Sequence, residues 1–155
     1  MRHPNHLPAD VAAAVEAAAE ALVIVWGRGS ERLHPKVSPS QLRALLVVEQ
    51  HGAINLGGLA EELGAIPSSA SRLCDRLQAA GLLARTTGPT DRREVSLRLT
   101  KDGQRLLEEL RLTRREELGV VLEAMPSQAR EALLAGLDAF RVASVRSGLR
   151  SGETG

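Results

Sequence analysis

The sequence predicts a mainly helical fold in which three central helices and a small sheet of two or three strands are flanked by helices at both chain ends. The apolar residues are mostly Leu, Val and Ala, with one Trp, one Phe and no Tyr, and this composition favours helices. Apolar positions recur at helical spacing in segments that begin and end with capping residues. Alternation typical of strands occurs on both sides of a turn at 88–91.

The first helix is predicted from Pro8 to about Trp26. Its apolar positions are spaced 4, 3, 4 and 3 residues apart, which makes a narrow seam that packs helix against helix. These positions are Val11, Val15, Ala18, Leu22 and Val25. Two glycines and a proline, Gly27, Gly29 and Pro35, are expected to end this helix and to form a loop through Val37.

The three central helices have clear boundary signals. Ser38 and Gln41 form a capping box with proline at the first helical position, and this helix is predicted to stop at Gly52. Asn55 is expected to cap a third helix, Leu56–Leu63, that ends at Gly64. A fourth helix is predicted over Pro67–Ala80, with Gly81 as its stop.

The rest of the chain predicts a hairpin followed by two long helices. The strands are expected at Leu82–Thr87 and Arg93–Leu99, with one apolar face on the second strand. Thr100 is expected to cap a helix reaching about Ala124, and Ser127 to cap the last helix. The apolar stripe of the last helix consists of Leu133, Leu134, Leu137, Phe140 and Val145.

The fourth helix and the hairpin together predict a winged helix-turn-helix that binds double-stranded DNA. On a helical wheel, small hydroxyl residues and two arginines lie opposite the apolar side, where they suit phosphate and guanine. Arginines at a hairpin tip suit the negative potential of a DNA groove. The predicted DNA-binding residues are Ser38, Ser68, Ser69, Ser71, Arg72, Arg76, Asp91, Arg92 and Arg93. An ordinary solvated face is the alternative for the helix alone.

Charge distribution supports the same prediction. The formal net charge is only +1, but residues 64–101 carry seven cations against three acids. The basic charge is therefore concentrated where the predicted DNA-binding elements lie.

This central region resembles the MarR family of transcriptional regulators. The matching motifs are Leu63-Gly64, Ser71-Arg72-Leu73, Asp75-Arg76-Leu77, Gly81 to Arg85, Asp91-Arg92-Arg93 and Leu97 to Gly103. The resemblance implies a homodimer whose terminal helices form the interface, and which binds pseudo-palindromic operators and is often released by a small ligand or by cysteine oxidation. Ile66 stands where the family often has a serine cap, so the fourth helix is expected to start later or to use Ser68. Few aromatic residues are present to line a ligand pocket.

The predicted organisation has two parts. Residues 8–34 and 104–148 form a helical dimerisation region, and 35–103 form the winged helix-turn-helix domain. Residues 1–7 and 149–155 are expected to fray. The predicted dimer-interface residues are Val11, Val15, Leu22, Leu133, Leu137 and Phe140.

The remaining candidate residues carry weaker signals. Cys74 is expected to be a small buried hydrophobe, with a redox switch as the alternative. Trp26 is expected to pack in a core or interface, or alternatively to line an effector pocket. The four histidines lack partners at metal-ligand spacing, and no catalytic set is recognisable, so we expect no metal, no cofactor and no enzyme.

Acids at Asp10, Glu16 and Glu20 interrupt the apolar run near the N-terminus, which argues against a secretory signal. No uncharged stretch approaches the length of a membrane span, and a single cysteine excludes an internal disulfide. We therefore expect a cytoplasmic protein. The predicted function is a homodimeric repressor of a pseudo-palindromic operator that a small-molecule effector releases. The alternatives are a winged-helix module for protein interaction and an oxidation sensor acting through Cys74.

Overall fold

The computed structural model describes residues 9–88 and 95–147 of the chain. A small antiparallel sheet in the order β1-β3-β2 lies among the helices. In chain order the elements are α1 (Ala9–Glu31), α2 (Pro39–His51), β1 (Ile54–Asn55), α3 (Leu56–Leu63), α4 (Pro67–Ala79), β2 (Leu83–Thr87), β3 (Val95–Leu99), α5 (Lys101–Glu123) and α6 (Ser127–Arg146). This architecture confirms the predicted fold class.

Three predicted helix caps are confirmed. The Ser38 hydroxyl accepts the Gln41 amide at 3.2 Å, while the Ser38 amide donates to the Gln41 side chain at 2.7 Å. The Asn55 side chain accepts from the Gly58 amide at 2.7 Å, and the Thr100 hydroxyl accepts from the Gly103 amide at 3.0 Å. Each cap supplies a partner for an amide that the first helical turn leaves unpaired.

The predicted end of the first helix is wrong. Helix α1 continues through both glycines to Glu31, so Trp26 lies within the helix. Gly29 is buried against α5, where an added Cβ would come within 3.0 Å of the Arg114 amide nitrogen. The Thr113 hydroxyl donates to the Gly29 carbonyl at 2.9 Å. The glycine therefore permits close packing of α1 on α5 instead of ending α1.

The starts of α4 and α6 also differ from the prediction. Ser127 is the first residue of α6, and Pro126 occupies the cap position without a side-chain hydrogen bond. Helix α4 begins at Pro67, and Ile66 at its cap position makes no side-chain hydrogen bond. Proline at or before a first helical position fixes φ near the helical value, and this favours both starts without a polar cap.

Element ends shift by one residue elsewhere. Helix α4 ends at Ala79 and β2 begins at Leu83, each one residue from the predicted boundary. The predicted start of the second strand, at Arg93, falls outside the described residues, as do the predicted fraying ends 1–7 and 149–155. Within β3, Leu97 is buried but Val95 is 42% exposed, so the predicted apolar face is only partly covered.

One hydrophobic core unites the central helices, the sheet and the first half of α5. Leu45, Leu59, Leu77 and Leu97 are buried in it together with residues from the flanking segments. The flanking contributors are Leu33, Leu106, Leu107 and Leu110. The N-terminal half of α5 therefore packs directly against the central helices. None of the helices in the described part of the chain combines the length and apolar character that a membrane span needs.

Candidate DNA-binding surface

Helices α3 and α4 form the helix-turn-helix. Gly64 ends α3 in the left-handed conformation (φ 62°, ψ 32°), and the Ala65 amide donates to the Ala60 carbonyl at 2.9 Å. A left-handed residue at this position suits glycine, because it has no Cβ to clash. After this tight turn, α4 packs on α3 and buries its apolar side in the core.

The predicted two sides of α4 are confirmed. Ala70, Cys74 and Leu77 are buried. The outward side carries exposed Ser68, Ser69, Arg72, Asp75 and Arg76, while Ser71 is half-buried. The side that the wheel assigned to DNA is thus presented to solvent.

An ion pair that sequence reasoning missed neutralises the only acid of α4. Arg85 on β2 donates to the Asp75 carboxylate at 2.8 Å. Among the described residues, Arg72 and Arg76 make no ion pair. Within the described part of the chain, the outward face of α4 therefore presents two cations without an acidic partner. The spacing of Asp75 and Arg85 gave no local signal, because the turn at Gly81 brings them together.

The base of the wing is tied to the end of α4. The strands β2 and β3 pair in antiparallel register from Leu83 with Leu99 to Thr87 with Val95. The Thr100 hydroxyl donates to the Gly81 carbonyl at 2.5 Å, and the Thr100 amide donates to the Leu82 carbonyl at 3.2 Å. These bonds fix the direction of the hairpin relative to α4. The predicted tip residues Asp91, Arg92 and Arg93 lie outside the described residues.

Ser38 has a clear structural role. It is exposed at the start of α2, where its hydroxyl takes part in the capping box. Its contact with DNA stays a prediction.

Cys74 is fully buried, which confirms the expected packing role. Burial raises the pKa of the Cys74 thiol, with Arg85 opposing this effect and Asp75 adding to it. A thiol with a raised pKa stays protonated and is a poor nucleophile. The charged neighbours that affect it are on β2 and α4, and Arg72 and Arg76 point away.

Trp26 is not among the residues that line the cavity between α1, α2 and α5, but it stacks on Arg114, which does line it. The Arg114 guanidinium lies 4.3 Å from the centre of the Trp26 ring. Beside it is a cavity of about 560 Å³ between α1, α2 and α5. Its lining residues are Gly27, Ser30, Glu31, Lys36, Val37, Pro39, Leu42, Arg43, Leu46 and Arg114.

The partly buried Arg114 side chain lacks a full set of hydrogen-bond partners in the described part of the chain. Its Nε is buried and has no hydrogen-bond partner among the described residues. Burial, assisted by the nearby Arg111, lowers the pKa of Arg114. Arg114 carries no local sequence signal, because its neighbours in the cavity come from other helices. No cluster of His, Cys, Asp and Glu within 9–88 and 95–147 could hold a metal ion.

The terminal helices leave apolar side chains uncovered. Helix α6 contains no buried residue, and Leu137 and Phe140 are 42% and 66% exposed. On α1, Val11 and Val15 are exposed, while Leu22 is half-buried. The other exposed large apolar residues of α1, α5 and α6 are Val23, Ile24, Trp26, Leu112, Val120, Val121, Leu133, Leu134, Val142 and Val145.

Comparison with known proteins identifies the family. The MarR family model matches residues 37–95. The chain is 31% identical over 102 residues to the HTH-type transcriptional regulator Mb0904 of Mycobacterium bovis, spanning 66% of this chain and 71% of that protein. It is 36% identical over 74 residues to the HTH-type transcriptional repressor MdtR of Bacillus subtilis, and spans 48% of each chain.

The crystal structure of RV1404 from Mycobacterium tuberculosis is similar over nearly the whole chain. The TM-score is 0.79 at 33% identity, covering 92% of this chain and 98% of that chain. The family model covers α2 to β2 and ends at the first residue of β3, and the whole-chain similarity extends to the terminal helices. The chain therefore belongs to the MarR family of DNA-binding, helix-turn-helix transcription regulators, which are not enzymes.

Proposed function

We propose that this chain is a homodimeric repressor that binds a pseudo-palindromic operator in the cytoplasm and is released by a small organic anion. The observation that carries the DNA-binding part is the outward face of α4. Arg72 and Arg76 are exposed there, and the only acid of the helix is paired with Arg85. A helix with this charge arrangement suits the major groove.

The expected contacts divide by chemistry. Serines and amides at the start of α4 suit phosphate oxygens, which set the position of the helix on the duplex. Arg72 and Arg76 lie one turn apart and can each donate two hydrogen bonds to guanine O6 and N7. The wing residues Arg92 and Arg93 are proposed to act through the DNA backbone and the minor groove.

The uncovered apolar faces of α1 and α6 support the proposed dimerisation. A helix with no buried residue gains little stability from its own chain, and contiguous exposed apolar residues usually mark an interface. In a two-fold dimer the two copies of α4 would meet successive major grooves. The similarity to MdtR, a repressor, supports repression as the outcome of binding.

Operator binding by arginine variants tests the role of α4. Selection from random duplex DNA supplies the operator, and fluorescence anisotropy measures its affinity. Replacing Arg72 or Arg76 by alanine should cost about 1–3 kcal/mol of binding free energy at one base position per half-site. Arg115→Ala removes the same charge from an exposed site on α5 and should bind normally. Unchanged affinity in both α4 variants would rule out this docking of the helix.

The effector part of the proposal rests on Arg114 and its cavity. Arg114 lines the cavity with a partly buried side chain, and an anion in the cavity can form charge-assisted hydrogen bonds with the accessible N–H groups of its guanidinium. Lys36 and Arg43 also line the cavity, against the single acid Glu31. The site therefore favours a small carboxylate with an apolar body. Arg114 lies where α1 packs on α5. Binding of an anion there can therefore alter the spacing of the two winged helix-turn-helix domains in the proposed dimer.

A panel of aromatic and aliphatic monocarboxylates, each matched with its uncharged amide, tests this site. We expect at least one carboxylate to raise the melting temperature and to weaken operator binding, because a ligand stabilises the state it binds. Its amide should have much smaller effects. Arg114→Gln should abolish the response, while Arg115→Gln should keep it. Equal responses to acids and amides would contradict the assignment of Arg114.

Two other functions are less well supported. A winged-helix module for protein interaction has no need of two exposed arginines on α4 that have no acidic partner among the described residues. An oxidation sensor needs an accessible thiolate, whereas Cys74 is fully buried and burial raises its pKa.

A further inference from the structure

Ile66 is an exposed apolar residue at the front of the DNA-reading helix. Its side chain is 66% exposed, and it directly precedes Pro67, the first residue of α4. The residues that follow, Ser68 and Ser69, are exposed as well. Ile66 therefore lies at the end of α4 that would enter the groove first.

The fold itself does not explain an isoleucine at this position. Ile66 is the cap residue of α4 and makes no side-chain hydrogen bond, whereas serine, threonine, asparagine or aspartate there would stabilise the helix. The chain uses such residues at Ser38, Asn55 and Thr100. Nor does Ile66 contribute to the core, because most of its surface is in water. Ile66 therefore stabilises the chain neither as a helix cap nor as part of the core.

We propose that Ile66 contacts the C5-methyl group of a thymine in each operator half-site and so determines part of the sequence preference. The inference rests on the proposed DNA binding by α4. The thymine methyl is the apolar group that the major groove presents, and aliphatic side chains discriminate thymine by touching it. Burying one methyl group corresponds to about a four-fold change in affinity, or about sixteen-fold for both half-sites.

Deoxyuridine substitution tests the contact directly, because it removes only the methyl group. In the selected operator, symmetry-related thymines are replaced one pair at a time, and affinity is measured for the wild type, Ile66→Val and Ile66→Ser. One pair should weaken wild-type binding by about sixteen-fold. Ile66→Val keeps a branched apolar side chain and should keep most of this sensitivity.

Ile66→Ser should lose most of the sensitivity to deoxyuridine at the same pair, because serine has no methyl group. It should also melt about 3 °C higher, because serine can cap the helix, and this excludes misfolding as the cause. Tight operator binding without sensitivity at any thymine would overturn the role of Ile66 alone, as would undiminished sensitivity in Ile66→Ser. Failure of the wild type to enrich any sequence would instead contradict the proposed function, and the inference with it.

Discussion

Replacing Gly103 by alanine is expected to lower the free energy of unfolding by about 3 kcal/mol, in the range of severe overpacking. Gly103 is buried in the first turn of α5, and an added Cβ would collide with the carbonyl oxygen of Leu82. Because the colliding atom belongs to the backbone, a side-chain rotation cannot relieve the contact. The same Leu82 carbonyl accepts the Thr100 amide at the base of the wing. The substitution should therefore also weaken operator binding.

Urea denaturation followed by circular dichroism measures the loss. Gly119→Ala is the matched control, because it makes the same change in the same helix where no atom lies within 4 Å of the added Cβ. Alanine should stabilise α5 there by about 0.5–1 kcal/mol. Equal midpoints for the two variants would show that the close approach of α5 to Leu82 is wrong.

Replacing Leu137 by aspartate is expected to abolish the dimer and to weaken operator binding more than a hundred-fold. Leu137 is 42% exposed in the single chain and lies on the uncovered apolar face of α6. A stable dimer of this kind should bury on the order of 2,000 Å² or more, and an unpaired charge inside such an interface is costly. A monomer has a single winged helix-turn-helix domain and therefore retains only half of the DNA contacts.

Light scattering of the purified protein measures this effect, with anisotropy for operator affinity. Gln128→Asp adds the same charge at an exposed position near the start of α6 and should leave the mass unchanged. A Leu137→Asp protein that keeps the dimer mass would exclude this face of α6 from the interface. The comparison requires that Leu137→Asp and Gln128→Asp are both expressed and are equally soluble.

Local chemistry explains which parts of the fold could be predicted. The capping interactions of Ser38, Asn55 and Thr100 involve residues only three positions apart, so their sequence signals were sufficient. The two sides of α4 followed from helical periodicity for the same reason. Gly29 was misread as a helix end because its role depends on contact with Arg114 from α5. A glycine has the same sequence signal in both roles.

The functional surface could likewise be predicted only where it depends on residues close together in the sequence. Exposure of Arg72 and Arg76 followed from the wheel, but the neutralisation of Asp75 by Arg85 depends on how the turn at Gly81 directs β2. The cavity beside Arg114 was missed because three separate helices build it. Periodicity within one helix identifies the face that is buried, and it carries no information on which distant residue meets that face.

The consensus that wild-type protein selects from random duplex DNA tests the central claim most directly. Two copies of α4 in a symmetric dimer should enrich two inverted half-sites whose centres are about 34–36 Å apart, one turn of the double helix. The complex should contain two chains per duplex, as native mass spectrometry measures. A single half-site without symmetry, or no enrichment at all, would contradict a two-fold repressor that reads DNA through α4.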